Sequence, residues 1–389
     1  MGTLISSGRA HAAARPKAMH ARIWRFDWQL FLITLALVAV GVVMVYSASG
    51  GPRLAEGPLL ENLAFRQLLF AGVGLVFYFI LQMVDYHLWV RHYLWLYLVV
   101  LGLLGVTMVI GRSSFGAQSW LRVGFVDVQP SEVSKLLMIL VLARCLGDEK
   151  ENLESPRAFA TSILLILPPA MLIYLQPDFG TAVILVAIWV GMIFLAGVRW
   201  RHILIFLLLG VAAAPLIWFQ LKDYMRKRII TFLFPGSDPS GASYNVTQAL
   251  ISIGSGGLWG KGLFRGTQSQ LHFLRVRHTD FIFSVLAEEL GFAGAVVLLI
   301  LFALLVLRLL SIARSAPDRS GALIASGVAT MILVQTLINL GMNANLLPVT
   351  GLPLPLVSYG GSSLIATLMA LGIAQSVARH RRRPEANLL

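Results

Sequence analysis

Cysteine occurs once, at Cys145, so no disulfide can close within the chain. Acidic residues are also scarce. Eighteen Asp and Glu stand against 31 Lys and Arg, and charged residues make up only 13% of the 389 positions, far below the share of a soluble domain. The eight histidines are scattered and neither CxxC nor HExxH occurs, which excludes the usual structural zinc sites. No repeat of fixed period is present, which sets aside solenoids and propellers. A cationic excess can signal nucleic acid, but no aromatic–basic pattern of a nucleic-acid module accompanies it, so no nucleic-acid partner is expected.

What the chain has in abundance is apolar sequence, 57% of all residues. A helix needs about 20 such residues to cross the hydrocarbon core. Ten candidate spans meet or approach that length, at 29–48, 65–84, 91–110, 132–147, 159–176, 180–196, 202–220, 280–308, 320–343 and 358–378. The expected fold class is therefore all-α, a polytopic membrane protein with about ten transmembrane helices and one long extracytoplasmic loop, about 221–279. Residues 1–26 read as a disordered cytoplasmic tail, 27–380 as a single membrane domain, and 381–389 as a second cytoplasmic tail. YSAS at 46–49 ends the first apolar run with small residues. Its long polar lead and full-length apolar run mark an uncleaved first helix rather than a signal peptide.

An even number of spans puts both termini on one side. Arg9, Arg15, Lys17, Arg22 and Arg25 precede the first span, and Arg379, Arg381, Arg382 and Arg383 follow the last. Arg199, Arg201, Arg308, Arg314 and Arg319 fall in short connections on that same side, which the positive-inside rule makes cytoplasmic. One loop departs from the rule. Residues 221–279 hold Lys222, Arg226, Lys227, Arg228, Lys261, Arg265, Arg275 and Arg277 against Asp223 and Asp238 alone. Long loops translocate largely regardless of charge, so the topology stands. A cationic outer loop fits either anionic lipid headgroups or a site for phosphate.

Ionisable groups in or beside membrane spans are costly, so each needs a reason. In QPSEVSK (129–135), Glu132 and Lys135 are three apart and can meet across one helical turn. They form either a structural ion pair or a pair whose lysine stays partly available to a substrate phosphate. In LQPDFGTA (175–182), Asp178 suits an N-cap of the next helix. In HTDFIFSVLAEELG (278–291), Thr279 or Asp280 could cap a helix. The alternative is that Asp280, at the outer mouth of that helix, acts as a general base. Glu288 and Glu289 lie deeper and read as partners for neighbouring helices. The glycines of GSGGLWGKG (254–262) resemble an anion nest, although no Walker A pattern is present. SYNVTQALISIGSG suits a short interfacial helix, and LPVTGLPLPLVSYGGSS (347–363) suits irregular backbone that plugs the bundle or lines a cavity.

YSAS, QPSEVSK, LQPDFGTA, GSGGLWGKG with GTQSQL, HTDFIFSVLAEELG and LPVTGLPLPLVSYGGSS occur in the order found in the SEDS family of bacterial shape, elongation, division and sporulation proteins. The resemblance covers nearly the whole chain. LAEELG and GLPLPLVSYGG are more similar to the elongation branch typified by RodA than to the division branch typified by FtsW. The family implies a ten-helix peptidoglycan glycosyltransferase of the bacterial inner membrane that polymerises lipid II. It also implies a class B penicillin-binding protein and other elongation proteins as partners. Asp280 matches its catalytic aspartate, and Glu132 with Lys135 its Q-P-S-E-x-x-K pair. Lys135, Glu132, Lys261, Arg265, Arg228, Gln248, His278, Thr279, Ser358 and Tyr359 are then the candidates for holding substrate. Asp178, Glu288 and Glu289 form a supporting polar set. A divalent cation, Mg2+ or Mn2+, is expected at the pyrophosphate, with ligands the sequence does not name. A lipid II flippase and a non-catalytic scaffold are the rival readings. Ser119 replaces an arginine common in the family, Arg122 and Asp127 exchange the charges usual at their positions, and Arg275 enters where an acid-containing stretch is usual.

Overall fold

The computed structural model describes residues 26–51, 62–114, 117–123, 126–147, 156–198, 200–220, 223–234, 242–271, 273–274 and 276–381. The basic tails before Phe26 and after Arg381, together with Arg199, Lys222, Asp238 and Arg275, lie outside these residues.

Ten long helices appear where the apolar runs predict them: α1 (Trp28–Ala48), α2 (Leu63–Met83), α4 (Tyr93–Ile110), α5 (Pro130–Gly147), α6 (Pro156–Leu175), α7 (Phe179–Leu195), α8 (Trp200–Gln220), α12 (Ile282–Arg314), α13 (Arg319–Asn343) and α14 (Gly361–Arg379). Among the described residues four shorter ones intervene: α3 (Tyr86–Arg91), α9 (Asp223–Leu233), α10 (Ala242–Ser255) and α11 (Thr267–Gln270). The chain is an integral membrane protein. Six of the long helices are long and apolar enough to cross a bilayer unaided. α5 is instead buried along most of its length, so neighbouring helices rather than lipid surround Glu132 and Lys135. α2 and α4 turn Leu68, Val76, Leu98 and Val109 outward. α13 is central and packs on α12, α7, α5 and α14.

Asp27 fixes one end of the bundle. It caps α1 by accepting the Leu30 N–H at 3.0 Å, and it accepts Arg308 and Arg381 at 2.7 Å each. Burial pushes its carboxyl up, but the guanidiniums and the Leu30 amide outweigh that and hold it below the usual carboxylate range. The start of α1 and the segment after α14 therefore share one end, here the terminal end. The opposite one is the loop end.

Two features of the loop end differ from the sequence reading. Between the predicted spans 91–110 and 132–147, three strands form a small antiparallel sheet: β1 (Arg112–Ser114), β2 (Ala117–Val123) and β3 (Val126–Val128). Its register sets Arg122 directly across from Asp127. The charge exchange at these positions thus leaves opposite charges facing one another, an arrangement worth about 0.2–1 kcal/mol.

The second difference concerns α12, which is not continuous. Gly291 breaks it with φ 68° and ψ −166°, a conformation open essentially to glycine alone. The glycine-rich loop enters the break. Lys261 and Gly262 donate their N–H groups to the Glu288 and Glu289 carbonyls at 3.0 and 2.9 Å, while Phe292 and Ala293 donate to Gly257 and Leu258 at 2.9 and 3.0 Å. The expected anion nest is thereby corrected, because amides that would have faced an anion are spent on a broken helix. A Cβ on Gly291 would lie 2.3 Å from the Gly260 nitrogen and 2.7 Å from the Leu258 oxygen. Gly291→Ala is expected to lower stability by more than the ~1–3 kcal/mol of the backbone conformation alone, since the loop must also move. Gly102→Ala, on α4 with nothing within 4 Å of the new methyl, should leave stability unchanged or slightly raised. Thermal unfolding in detergent compares the two, and equal midpoints would refute the docking.

Candidate active site

The loop end holds a cleft of about 410 Å³, within the size range of small-molecule sites. Ser119 and Trp120 of β2, Gln129, Asp178 and Phe179 at the entry to α7, and Arg228 of α9 form part of its wall. Thr279 and Asp280 before α12, the Val349–Gly351 segment, and Tyr359–Ser363 at the mouth of α14 complete it. LPVTGLPLPLVSYGGSS therefore lines a cavity.

Asp280 is not a helix cap. α12 begins after Phe281 and has no side-chain cap bond, which removes the structural alternative for this carboxylate. Ser284 N–H reaches the Phe281 carbonyl at 3.1 Å, and the Asp280 carbonyl instead accepts the side-chain amides of Asn339 and Asn343 at 3.0 and 2.9 Å. The carboxyl keeps some surface open to the cleft, yet protein encloses it on the remaining sides. That desolvation pushes it up to about 6 against the pull of Arg228 and a Thr279 hydrogen bond. A carboxylate near 6 is ionised at neutral pH and remains basic enough to take a proton.

The other cleft groups are held firmly. Asp178 caps α7 as expected, accepting Thr181 N–H at 3.2 Å, and it also accepts Gln129 Nε2 at 2.8 Å and Ser131 Oγ at 3.2 Å. Arg228 donates to the Thr350 carbonyl at 3.1 Å. Ser358 lies just beneath the cleft, donating to the Thr279 carbonyl and accepting Leu354 N–H at 2.8 Å. His278 packs its ring on Tyr359 with centroids 5.7 Å apart, and its carbonyl accepts Tyr359 N–H at 2.9 Å. Burial pushes the His278 imidazole down, with Arg277 adding to the effect.

Of the sequence-predicted site residues, Asp280, Thr279, Arg228, Tyr359 and Asp178 line this cleft. His278 and Ser358 support it from behind. Lys261, Arg265 and Gln248 do not line it. Lys261 is committed to Glu288 at 2.8 Å and Thr267 at 2.9 Å. Glu288 is buried and also accepts the Gln268 and Ser269 N–H groups of the short helix α11, so it meets a neighbouring helix as well as Lys261 of the glycine-rich loop. Glu289 meets a neighbouring helix too, accepting Ser47 of α1 at 2.6 and 2.7 Å. Glu132 and Lys135 bond at 2.9 Å with exposures of 2% and 1%, too enclosed to meet a substrate phosphate in this conformation. Lys135 Nζ is shared with Gln335 at 3.0 Å, and Gln335 passes the connection to the Pro353 carbonyl at 2.9 Å.

The residues that sequence reading missed are Gln129, Trp120, Gln335, Asn339 and Asn343. The last three recur every four residues along α13, a polar line in an apolar helix that was a readable signal.

The family model for the FtsW, RodA and SpoVE cell cycle proteins matches residues 27–383. Peptidoglycan glycosyltransferase MrdB of Escherichia coli K12 is 40% identical over 357 residues, covering 92% of this chain and 94% of the relative. Stage V sporulation protein E of Bacillus subtilis is 40% identical over 362 residues, covering 92% and 98%. A solved chain from a peptidoglycan synthase complex that coordinates polymerization and crosslinking aligns with a TM-score of 0.78 at 37% identity, covering 92% of this chain and 99% of its own. Sequence motifs, helix order and these likenesses agree: the chain belongs to the FtsW/RodA/SpoVE family.

Proposed function

We propose that Asp280 is the general base with which this peptidoglycan glycosyltransferase extends glycan strands from lipid II. In this reading the Asp280 carboxylate takes the proton of the acceptor GlcNAc 4-hydroxyl. That oxygen attacks C1 of the donor MurNAc, the bond from C1 to the pyrophosphate oxygen breaks, and the anomeric configuration inverts. The observation that carries it is a carboxylate released from helix capping, enclosed by protein, and open to the cleft of about 410 Å³. Arg228, beside Asp280, is the cation best placed to meet the phosphates of a polyprenyl pyrophosphate.

Mg2+ commonly binds through one or two carboxylates together with substrate phosphates. No cluster of three or more His, Cys, Asp or Glu suited to a metal occurs among the described residues, so most of a cation's ligands would come from the pyrophosphate and water. A divalent cation would thus be held jointly with the pyrophosphate and would supply charge neutralisation at the leaving group. The loop end is assigned to the outer face and the terminal end to the cytoplasm, by the cationic tails. A class B penicillin-binding protein is the expected crosslinking partner, and wall elongation with rod-shape maintenance the expected process, alongside other elongation proteins.

The test gives purified protein lipid II with Mg2+ or Mn2+, with and without its cognate penicillin-binding protein, and resolves glycan on a gel. Polymer supports the reading. Its absence under every condition, with lipid II translocation by the reconstituted protein, would establish the flippase instead. Polymerisation should rise with pH through about 6. Arg228→Gln removes a charge that favours the Asp280 anion, so its acid limb is expected at higher pH; an unmoved limb would place Arg228 out of reach of the base.

A further inference from the structure

The Asp280 carbonyl stands one residue before the N-cap of α12, Phe281, whose own carbonyl accepts the first N–H groups of the helix, from Ser284 at 3.1 Å and Val285 at 3.3 Å. Asn339 Nδ2 and Asn343 Nδ2 occupy the Asp280 carbonyl at 3.0 and 2.9 Å. Both asparagines are fully buried on one face of α13, four residues apart. Asn339 also donates to the Leu352 carbonyl at 2.8 Å. The same short segment carries Thr350, whose carbonyl anchors Arg228 at 3.1 Å. Asn343 is held in turn by Ser284, which donates to its Oδ1 at 2.7 Å.

We infer that Asn339 and Asn343 are positioning residues for the reaction. They keep Asp280 outside α12 and, through Asn339, set the base-bearing turn against the 350–352 segment that orients Arg228. The inference rests on Asp280 acting as the base. Without the two amides the Asp280 carbonyl is left buried and unpaired, or α12 winds back by a residue to claim it. Either outcome moves the Asp280 side chain away from its seat between Arg228 and the enclosing wall. Small displacements of a reacting group are enough to erase much of a positioning effect.

The groups that act on Asp280 or share its cleft are Arg228 from α9, Thr279 from its own turn, Asp178 from the entry to α7, and Tyr359 before α14. Asn339→Leu can also shift Arg228 through the 350–352 segment, whereas Asn343→Ala leaves the Leu352 clamp in place, so a shifted titration in Asn343→Ala reports the position of Asp280 itself. Enclosure dominates its proton affinity, with the Arg228 attraction second. A loosened turn admits water and is expected to return the carboxyl towards its ordinary range, moving the acid limb to lower pH.

The experiment measures lipid II polymerisation by the full chain, with its partner present, as a function of pH. Asn339→Leu, close in volume but without donors, is expected to lower kcat roughly 10- to 100-fold, with little change in KM and an acid limb at lower pH. Asn343→Ala removes one of the two donors, spares the Leu352 clamp, and should shift the limb the same way, which keeps the test open should Asn339→Leu not fold. Gln335→Leu is the comparison. It deletes a buried amide from the same helix face that bonds Pro353 rather than Asp280, so it can weaken the fold but should not move the limb. An acid limb that stays in place or rises in both asparagine variants overturns the inference, whatever happens to the rate. Asp280→Asn separates the two readings: normal polymerisation by that variant would remove the base itself, whereas an inactive Asp280→Asn with an unmoved limb in the asparagine variants would remove only the positioning.

Discussion

Asp280→Asn is expected to abolish glycan polymerisation while the purified protein keeps the unfolding midpoint of its parent. General-base catalysis typically contributes about 10²–10⁴-fold to a rate, and the amide can neither accept the proton nor carry the anion that Arg228 faces. The fold should tolerate the change because an amide of the same shape can keep the Thr279 hydrogen bond. The side chain makes no cap bond to α12, and the residue's main structural attachment is its backbone carbonyl, which the substitution leaves in place. Replacing a carboxylate whose enclosure disfavours its charge also lifts a desolvation penalty, so stability should hold or rise slightly. Asp280→Glu is the informative companion. It restores a carboxylate but moves it by one methylene in a walled site, so a small residual activity is expected. Measurable polymer from Asp280→Asn at about a tenth of the parent rate or more would be inconsistent with its role as the base, which should supply at least ~10²-fold. A lost unfolding transition would show instead that the side chain is structural.

The same residue illustrates how far the sequence could be read. A charged group abutting a long apolar run is conspicuous in one dimension, and so Asp280, the ten spans and the polar mouth of α14 were all legible from residue order alone. Glu132 and Lys135 were legible as a pair because helical geometry brings i and i+3 together. What was not legible depends on contacts between distant segments. GSGGLWGKG has the composition of an anion nest, and only the break at Gly291 shows that its amides complete α12. Lys261 is a loop cation by sequence and the partner of a buried Glu288 by structure. The Asn339 and Asn343 amides act on a carbonyl 59 and 63 residues earlier. Local periodicity says that they share a face of α13; it says nothing of what that face meets. The small sheet of residues 112–128 escaped for a different reason, since strands of three to seven residues leave too short an alternation to stand out from a loop.

The Glu132–Lys135 pair yields the other large expected effect, and it separates structure from substrate binding. Both groups are enclosed by protein, and each has the other as its ion-pair partner. Breaking such a pair from one side strands a buried charge and costs about 3–5 kcal/mol, while replacing both partners with apolar groups of similar shape is often neutral or favourable. Glu132→Gln leaves the ammonium with Gln335 and a neutral amide, and Lys135→Met leaves a carboxylate with no cation. Each single variant should therefore lose a large part of the folded population. The double variant should recover most of the parent's unfolding midpoint, because the Lys135 methylenes already pack as apolar volume and Gln335 keeps its bond to Pro353 at 2.9 Å. Recovery of folding together with recovery of polymerisation would make the pair a scaffold beneath the cleft. Recovery of folding without activity would return Lys135 to the phosphate-binding role that its family motif suggests, reached through a conformation in which it leaves Glu132. Single variants as stable as the parent would contradict the enclosure of both charges, since a stranded ion that costs nothing must be reaching water.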